Sequence, residues 1–246
     1  MEKENLKFIG KSLYLGKEKI LVIADLHLGY EQGLEERGIL VSRRQFKDVI
    51  KELEKIFEKL EREKKKIKEI VILGDLKHDF SGILKQEWKD VLELIEFLKG
   101  KGKLILIKGN HDTILGPIAR EKGLKLKEFY VKKDICFIHG NREIKICKNR
   151  KIKTLIMGHK HPAITIKKEA KKEKYKCFLV GKWKRKEIVI LPSFFPLVEG
   201  SDVFSDALED TRLVFNFKLK EFEVYIPISV DEVLKFGKVK DVGRLR

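Results

Sequence analysis

Five short groups of carboxylate, amide and imidazole side chains each follow directly on an apolar run. Asp25 and His27 follow "KILVIA", Asp75 follows "EIVILG", and Asn110, His111 and Asp112 follow "KLILIKG". His139 follows "DICFI", and His159 and His161 follow "TLIMG". A spacing of two, as in Asp25/His27 and His159/His161, turns both side chains of a pair to the same side of extended backbone. Asp75 and Asn110 each follow a glycine, whose missing side chain lets the backbone turn tightly and approach an ion. The donor set contains no thiolate and suits divalent metals such as manganese, iron or zinc. Of the six histidines in the chain, five stand at these positions, and the sixth, His78, lies three residues beyond Asp75 in "ILGDLKHDF". Any one such histidine reads more readily as a surface or hydrogen-bonded core residue, so the joint pattern carries the metal reading.

The elements that position these groups follow from the runs themselves. Continuous rather than alternating hydrophobicity predicts strands buried on both faces, in a sheet covered by helices. The polar groups then collect along one edge, outside the strand ends. Between the first and second runs, Ser42 with Gln45 three residues later forms a capping-box signal. Phe46, Val49, Ile50, Leu53, Ile56, Phe57 and Leu60 follow it at helical spacing. A second helix is predicted from Gln86 to Leu98, ending near Gly100. After "GPIAREKG" come short strand-like runs, and "YKCFLVGKWKRKEIVILPSF" reads as a hairpin turning around Lys182 to Lys186. There is no internal repeat, linker-like stretch or composition shift that marks a domain boundary.

Lys and Arg total 55 against 38 Asp and Glu, a net charge of +17, which favours an anionic partner such as nucleic acid. Much of the surplus is lysine interleaved with glutamate, and Met (2) and Cys (3) are scarce, a composition associated with proteins of high-temperature organisms. Cys136, Cys147 and Cys177 form no CxxC pair and are expected to be reduced thiols. The start, "MEKENLKFIG", has no signal-peptide pattern, and no run reaches membrane-spanning length. A cytoplasmic protein without membrane association is expected.

In this order and at these separations, "DLH", "GD", "GNHD", "HG" and "GHKH" resemble the five motifs of the calcineurin-like metallophosphoesterases, spanning residues 25–161. The longer forms "DLHLGY" and "GDLKHDF" further resemble archaeal phosphoesterases related to the nuclease SbcD. The resemblance implies an α/β fold, a four-layer αββα sandwich formed as one domain over residues 1–246, with 162–246 completing the second sheet. It implies two divalent metal ions, manganese foremost, with iron, zinc or nickel as alternatives. Asp25, His27, Asp75 and His161 would bind one ion, and Asp75, Asn110, His139 and His159 the other, Asp75 bridging the two. His111 resembles the family's general acid, with Asp112 fixing its tautomer and keeping it protonated. Lys77 and His78 read either as rim residues touching a phosphate oxygen or, for His78, as a loop residue held by hydrogen bonds.

The activity implied is hydrolysis of a phosphodiester, with DNA or RNA as the substrate class. The lysines of "KKEAKKEKYK" and "KWKRK" are expected to line a groove running into the metal site. About 85 residues follow His161, too few for the DNA-gripping and partner-recruiting segments of SbcD-type nucleases. A standalone enzyme is therefore expected rather than the partner of an SbcC-type ATPase. Two alternatives stand beside this reading: a phosphodiesterase of small or cyclic nucleotides, and a binding scaffold like the retromer subunit of this fold. That subunit lacks the catalytic histidine, which this chain keeps as His111.

Overall fold

The computed structural model of the chain describes residues 5–78, 85–168, 171–205, 215 and 217–242. Its first sheet has six strands in chain order: β1 (Leu6–Ile9), β2 (Ser12–Leu15), β3 (Ile20–Ile23), β4 (Glu69–Ile72), β5 (Lys103–Ile107) and β6 (Leu126–Lys127). β1 to β3 pair antiparallel, and β3 to β6 pair parallel.

The second sheet has seven strands. They are β7 (Phe129–Lys132), β8 (Ile135–Ile138), β9 (Thr154–Met157), β12 (Phe178–Trp183), β13 (Lys186–Ile190), β15 (Glu223–Pro227) and β16 (Val233–Lys238), in the spatial order β16-β15-β12-β13-β9-β8-β7. A small third sheet joins β10 (Pro162–Lys168), β11 (Lys171–Lys176) and β14 (Ser201–Asp202).

Alternation within the buried strands builds the layers. In β3, Ile20 and Val22 face the second sheet, where they meet Phe137, Ile156, Phe178 and Val189. Leu21 and Ile23 face the helices. Those helices are α1 (Tyr30–Glu35), α2 (Gln45–Arg62), α3 (Lys85–Lys99) and α4 (Leu115–Glu121). They pack Val49, Leu53, Ile56 and Leu60 of α2 and Val91, Leu94, Ile95 and Leu98 of α3 onto the first sheet. The outer face of the second sheet is covered, among the described residues, by Ile164 of β10, Cys147, Phe215 and Phe222, and Val239 and Val242 of the short helix α5 (Val239–Val242). The two sheets therefore lie face to face in a mixed α/β sandwich. All three cysteines are buried free thiols. Among the described residues, no helix is long and apolar enough to cross a membrane.

Helix α3 covers the predicted segment from Gln86 to Leu98, and the β12–β13 hairpin turns where its sequence indicates. One local feature differs from the sequence reading. The capping box at Ser42 does not form: α2 begins at Gln45 with Arg44 as N-cap and no side-chain cap from its own turn. Glu31 serves instead, its Oε1 accepting the N–H groups of Arg44 (2.8 Å) and Gln45 (2.9 Å). A carboxylate at a helix N-terminus satisfies orphan donors and suits the positive end of the helix dipole. The segment "GPIARE", unassigned in the sequence reading, is helical within α4, with Pro117 in the first turn, where it is tolerated, and Leu115, Ile118 and Ala119 buried.

Candidate metal centre

Each potential ligand is delivered by the turn that ends a buried strand. β3 leads to Asp25 and His27, β4 to Asp75, β5 to Asn110 and His111, β8 to His139, and β9 to His159 and His161. Backbone hydrogen bonds tie the turns together: Asp25 N–H donates to Gly74 O (3.2 Å), His27 N–H to Asp75 O (2.9 Å) and Gly158 N–H to His139 O (3.0 Å). Asp25, His27, Asp75, His159 and His161 all have positive φ, between 44° and 68°. That left-handed backbone costs an L residue about 1–2 kcal/mol, and such strain collects at functional sites. Glycine is obligatory at two points of closest approach. A Cβ on Gly109 would strike Oδ1 and the amide nitrogen of Asp75, and one on Gly158 would lie 2.6 Å from Asp25 Oδ2.

Two donor clusters share Asp75. Ligand atoms of Asp25, His27, Asp75 and His161 lie within 4.8 Å of one another, as do those of Asp75, His139 and His159. Asn110 joins the second cluster, its Oδ1 standing 2.9 Å from His139 Nε2. His27 Nε2 faces His161 Nε2 at 3.3 Å, and His159 Nδ1 faces His139 Nε2 at 3.1 Å. Asp25 is fully buried, yet its Oδ1 makes no hydrogen bond. An orphaned buried carboxylate oxygen beside imidazole nitrogens turned toward each other fits a cation better than a network of protons. The seven residues could thus hold a pair of divalent ions. Their oxygen and nitrogen donors match the borderline metals that the sequence suggests.

The electrostatics of the metal-free cluster point the same way. Burial, then the neighbouring His161, pushes the His27 imidazole down to about 3; burial, then His139, brings His159 down to about 4. Both rings are therefore neutral, as metal ligands must be. Burial alone would lower His139, but its hydrogen bond to Asp75 and the charges of Asp75 and Asp25 carry it up to about 9. Burial would likewise raise Asp75 and Asp25, yet the histidines around them hold both carboxyls below the ordinary range. Without metal, a proton on His139 supplies positive charge where cations would otherwise sit.

His111 lies beside these clusters rather than within them. Its backbone N–H donates to Asp75 Oδ1 (2.9 Å), and its ring is edge-on to His27 with centroids 4.7 Å apart. Nδ1 pairs with the His78 carbonyl oxygen at 2.5 Å, so this nitrogen carries a hydrogen, and Nε2 stands 3.9 Å from Asp75 Oδ2.

Three sequence expectations are corrected here. Asp112 does not orient the His111 ring. Its Oδ1 accepts the N–H groups of Leu76 (3.0 Å) and Lys77 (3.4 Å), and its Oδ2 accepts that of Gly109 (2.8 Å), so it fastens the Asp75 turn to the Asn110 turn. Lys77 is no rim residue: its side chain is fully buried, with Nζ 3.9 Å from Glu87, also fully buried. His78 stays beside the site, half-buried and stacked on His111 with centroids 5.5 Å apart.

The basic string "KWKRK" does not lead into the site. β13 pairs parallel with β9, Glu187 opposite Thr154 and Ile190 opposite Met157. The turn bearing Lys184 and Arg185, with Lys182 beside it, therefore sits at the end of the sheet away from the ligands, about 17–20 Å along β13 from Ile190. In "KKEAKKEKYK", Lys176 does reach the metal edge, but Nζ is taken up by Ser193 O (3.0 Å), Ser193 Oγ (2.8 Å) and Phe195 O. Residues 169 and 170 of that stretch lie outside the described residues.

Supporting residues of the site had no local sequence signal. Gln45 Nε2 donates to Leu26 O (3.1 Å) and His27 O (2.6 Å), which ties the start of α2 to the first ligand turn. Glu87 Oε1 accepts the His78 N–H (2.8 Å), and the Phe195 ring packs 5.7 Å from that of His27. An acid in the first turn of α3 was the one visible hint, for Glu87.

Comparison with known proteins agrees with this architecture. A nuclease MPE from Pseudomonas putida has a similar fold, with a TM-score of 0.63 and 17% identity over 90% of this chain and 92% of that one. Zinc-complexed Vps29 from Entamoeba histolytica aligns with a TM-score of 0.37 and 16% identity over 87% of this chain and 95% of that one. No curated protein matches in sequence. The sequence profile of the calcineurin-like phosphoesterases matches residues 18–225, a span that contains every strand-end turn described above. The chain therefore belongs to the calcineurin-like phosphoesterase family.

Proposed function

We propose that the protein is a two-metal phosphodiesterase, with nucleic acid as its substrate class and manganese as its metal. Asp25, His27, Asp75 and His161 hold one ion; Asp75, Asn110, His139 and His159 hold the other. The observation that carries this reading is the presence of Asp75 in both clusters. A carboxylate common to two sites would contribute a ligand to both ions and offset part of their repulsion. When bound, such a pair polarises the phosphoryl group and acidifies a water molecule.

The chain's own residues supply the rest. The His78 carbonyl holds His111 Nδ1–H, which leaves Nε2 turned toward the cluster. A proton on Nε2 can pass to the departing oxygen, which requires the doubly protonated ring. The carboxylate of Asp112 fixes the two turns on either side of this step, and Gln45 fixes the turn of His27. The preference for nucleic acid draws on the +17 charge, the SbcD-like forms of the first two motifs and the fold shared with a nuclease.

A second reading, a small-nucleotide phosphodiesterase, draws on one observation. A cavity of about 250 Å³ lies against Asn110 and His139, with Lys108 and Arg142 on its walls, and could take part of a nucleotide.

The test is a metal-stripped preparation reconstituted with Mn²⁺, Ni²⁺, Zn²⁺ or Mg²⁺. It is assayed on a nitrophenyl diester, a phosphomonoester, cyclic nucleotides, and single- and double-stranded DNA and RNA. Cleavage of polynucleotides with two ions bound per chain is the expected result. Efficient turnover of cyclic or small nucleotides with none on polynucleotides would install the second reading. Inactivity on every ester would remove the catalytic assignment.

A further inference from the structure

The groove that runs along α2 starts at the same edge as the metal centre. Lys11 occupies the β1–β2 turn, and the pairing of Leu13 with Val22 puts that turn at the end of β3 from which Asp25 and His27 emerge. Lys11 Nζ donates to Phe194 O (3.2 Å), while the next residue, Phe195, donates its N–H to Asp25 O (3.2 Å). This short segment thus joins the ligand turn to Lys11, which lines the head of the groove. From there a cleft of about 830 Å³ extends between α2 and β11, with Lys51, Lys55 and Arg62 on one wall and Lys174 and Lys176 on the other.

Charge in this cleft is not balanced locally. Four acids line it, Asp48, Glu52, Glu58 and Asp231, against six lysines and arginines; Glu52 is engaged by Lys11 (2.6 Å), and Asp231 by Lys59 (2.7 Å) and Arg62 (3.3 Å). Lys51 and Lys55 are exposed, and four residues apart they share one face of α2; among the described residues neither has an ion-pair partner within 4.0 Å. Lys174 stands opposite with its side chain 31% exposed and has one loose acidic neighbour, Glu199, at 3.9 Å. From Asp48 to Arg62 the α2 wall is about 21 Å long. That is room for several successive phosphates of one strand. Its α2 cations lie along one line of the helix, the kind of positively charged groove that follows the backbone of a single strand.

We infer that the α2–β11 cleft is the track for single-stranded nucleic acid, holding the backbone beside the metal centre through Lys51, Lys55 and Lys174. The inference rests on the polynucleotide reading above. It moves the polymer contact from the β12–β13 turn to the edge where the ligands are.

The experiment uses the full-length chain and a fluorescent single-stranded 20-mer. Binding is followed by anisotropy over a salt series before divalent ion is added, and cleavage is followed after. Reversal of all three lysines (Lys51→Glu, Lys55→Glu, Lys174→Glu) is compared with the same reversal at the distant turn (Lys182→Glu, Lys184→Glu, Arg185→Glu). At about −0.7 per phosphate, loss of three contacts flattens the slope of log binding against log salt by about 2, and weakens binding about 10²-fold at 0.1 M salt. Turnover of a nitrophenyl diester stays within twofold of the unaltered protein. The distant reversal leaves the slope as it was. Should the triple reversal fold poorly, the milder pair Lys51→Gln and Lys55→Gln is expected to flatten the slope by about 1.4. Equal weakening by the near and distant reversals, or weakening by neither, overturns the track while leaving polynucleotide cleavage standing. A wild-type chain that neither binds nor cleaves the strand, yet hydrolyses the nitrophenyl diester, removes the track and the polymer substrate together and leaves a phosphoesterase.

Discussion

Asp75 places a single carboxylate between two sets of imidazoles, so its loss is expected to be felt on both sides. Asp75→Asn offers one neutral oxygen where a shared ligand needs two that carry charge, and should reduce bound metal from two ions per chain to less than one. His27→Ala should remove one ion and leave the other; elemental analysis of dialysed protein distinguishes the two patterns. At His111 the expected loss depends on the leaving group. His111→Asn should cost 10²- to 10⁴-fold on alkyl diesters, where the departing alkoxide needs a proton, and far less on a nitrophenyl diester. Asp112 should behave differently, because its carboxylate binds three backbone N–H groups rather than the His111 ring. Asp112→Ala is expected to destabilise the fold by about 2–4 kcal/mol and to slow all substrates alike. Retained stability with a loss confined to alkyl diesters would return Asp112 to the role of proton partner. Metal binding itself should displace a proton at neutral pH, since His139 is carried up to about 9 without metal and must be neutral as a ligand. Affinity therefore rises with pH up to about 9, and calorimetry in buffers of different ionisation heat counts the proton released.

At the level of elements, the site depends on how strand-end turns are fastened. Gln45→Leu keeps the side-chain volume but leaves the carbonyls of Leu26 and His27 without their donor. It should cost about 1–3 kcal/mol and loosen metal on the His27 side first. Gly109→Ala should leave the secondary structure intact by circular dichroism yet empty both sites, since the added carbon lands on Asp75. These attachments mark the boundary of what sequence conveys. Strand ends and their ligand types were legible because a metal needs particular donors, and buried strands need continuous apolar runs. The apolar face of α2 was legible for the same reason. Its true cap was not, because Glu31 lies 14 residues before Gln45 and reaches it only through the turn after β3. Asp112 was misread because its partners include Leu76, 36 residues away, on another turn. The distal lysines were misread because a basic string does not reveal which end of a sheet it will occupy; the parallel register of β13 on β9 decides that.

For the molecule as a whole, ligand occupancy should govern stability. At a free metal concentration a hundredfold above Kd, binding adds about 2.7 kcal/mol, which for a chain of this size raises Tm by about 5–10 °C. Calorimetry with and without a chelator measures the difference, and equal melting temperatures would mean that the cluster does not retain metal. The five left-handed residues of the ligand turns carry a further consequence for this balance. In ordinary helix or strand, alanine is more stabilising than glycine by about 0.5–1 kcal/mol. At His161, with φ of 44°, that order should invert in the metal-free protein, so that His161→Gly melts higher than His161→Ala. The same inversion is expected at His27, Asp25, Asp75 and His159. Heredity then works against the chemistry: when a ligand is lost, glycine is the replacement that the backbone rewards. Glycines at the strand ends would then be the mark that loss of the ligands leaves in this fold.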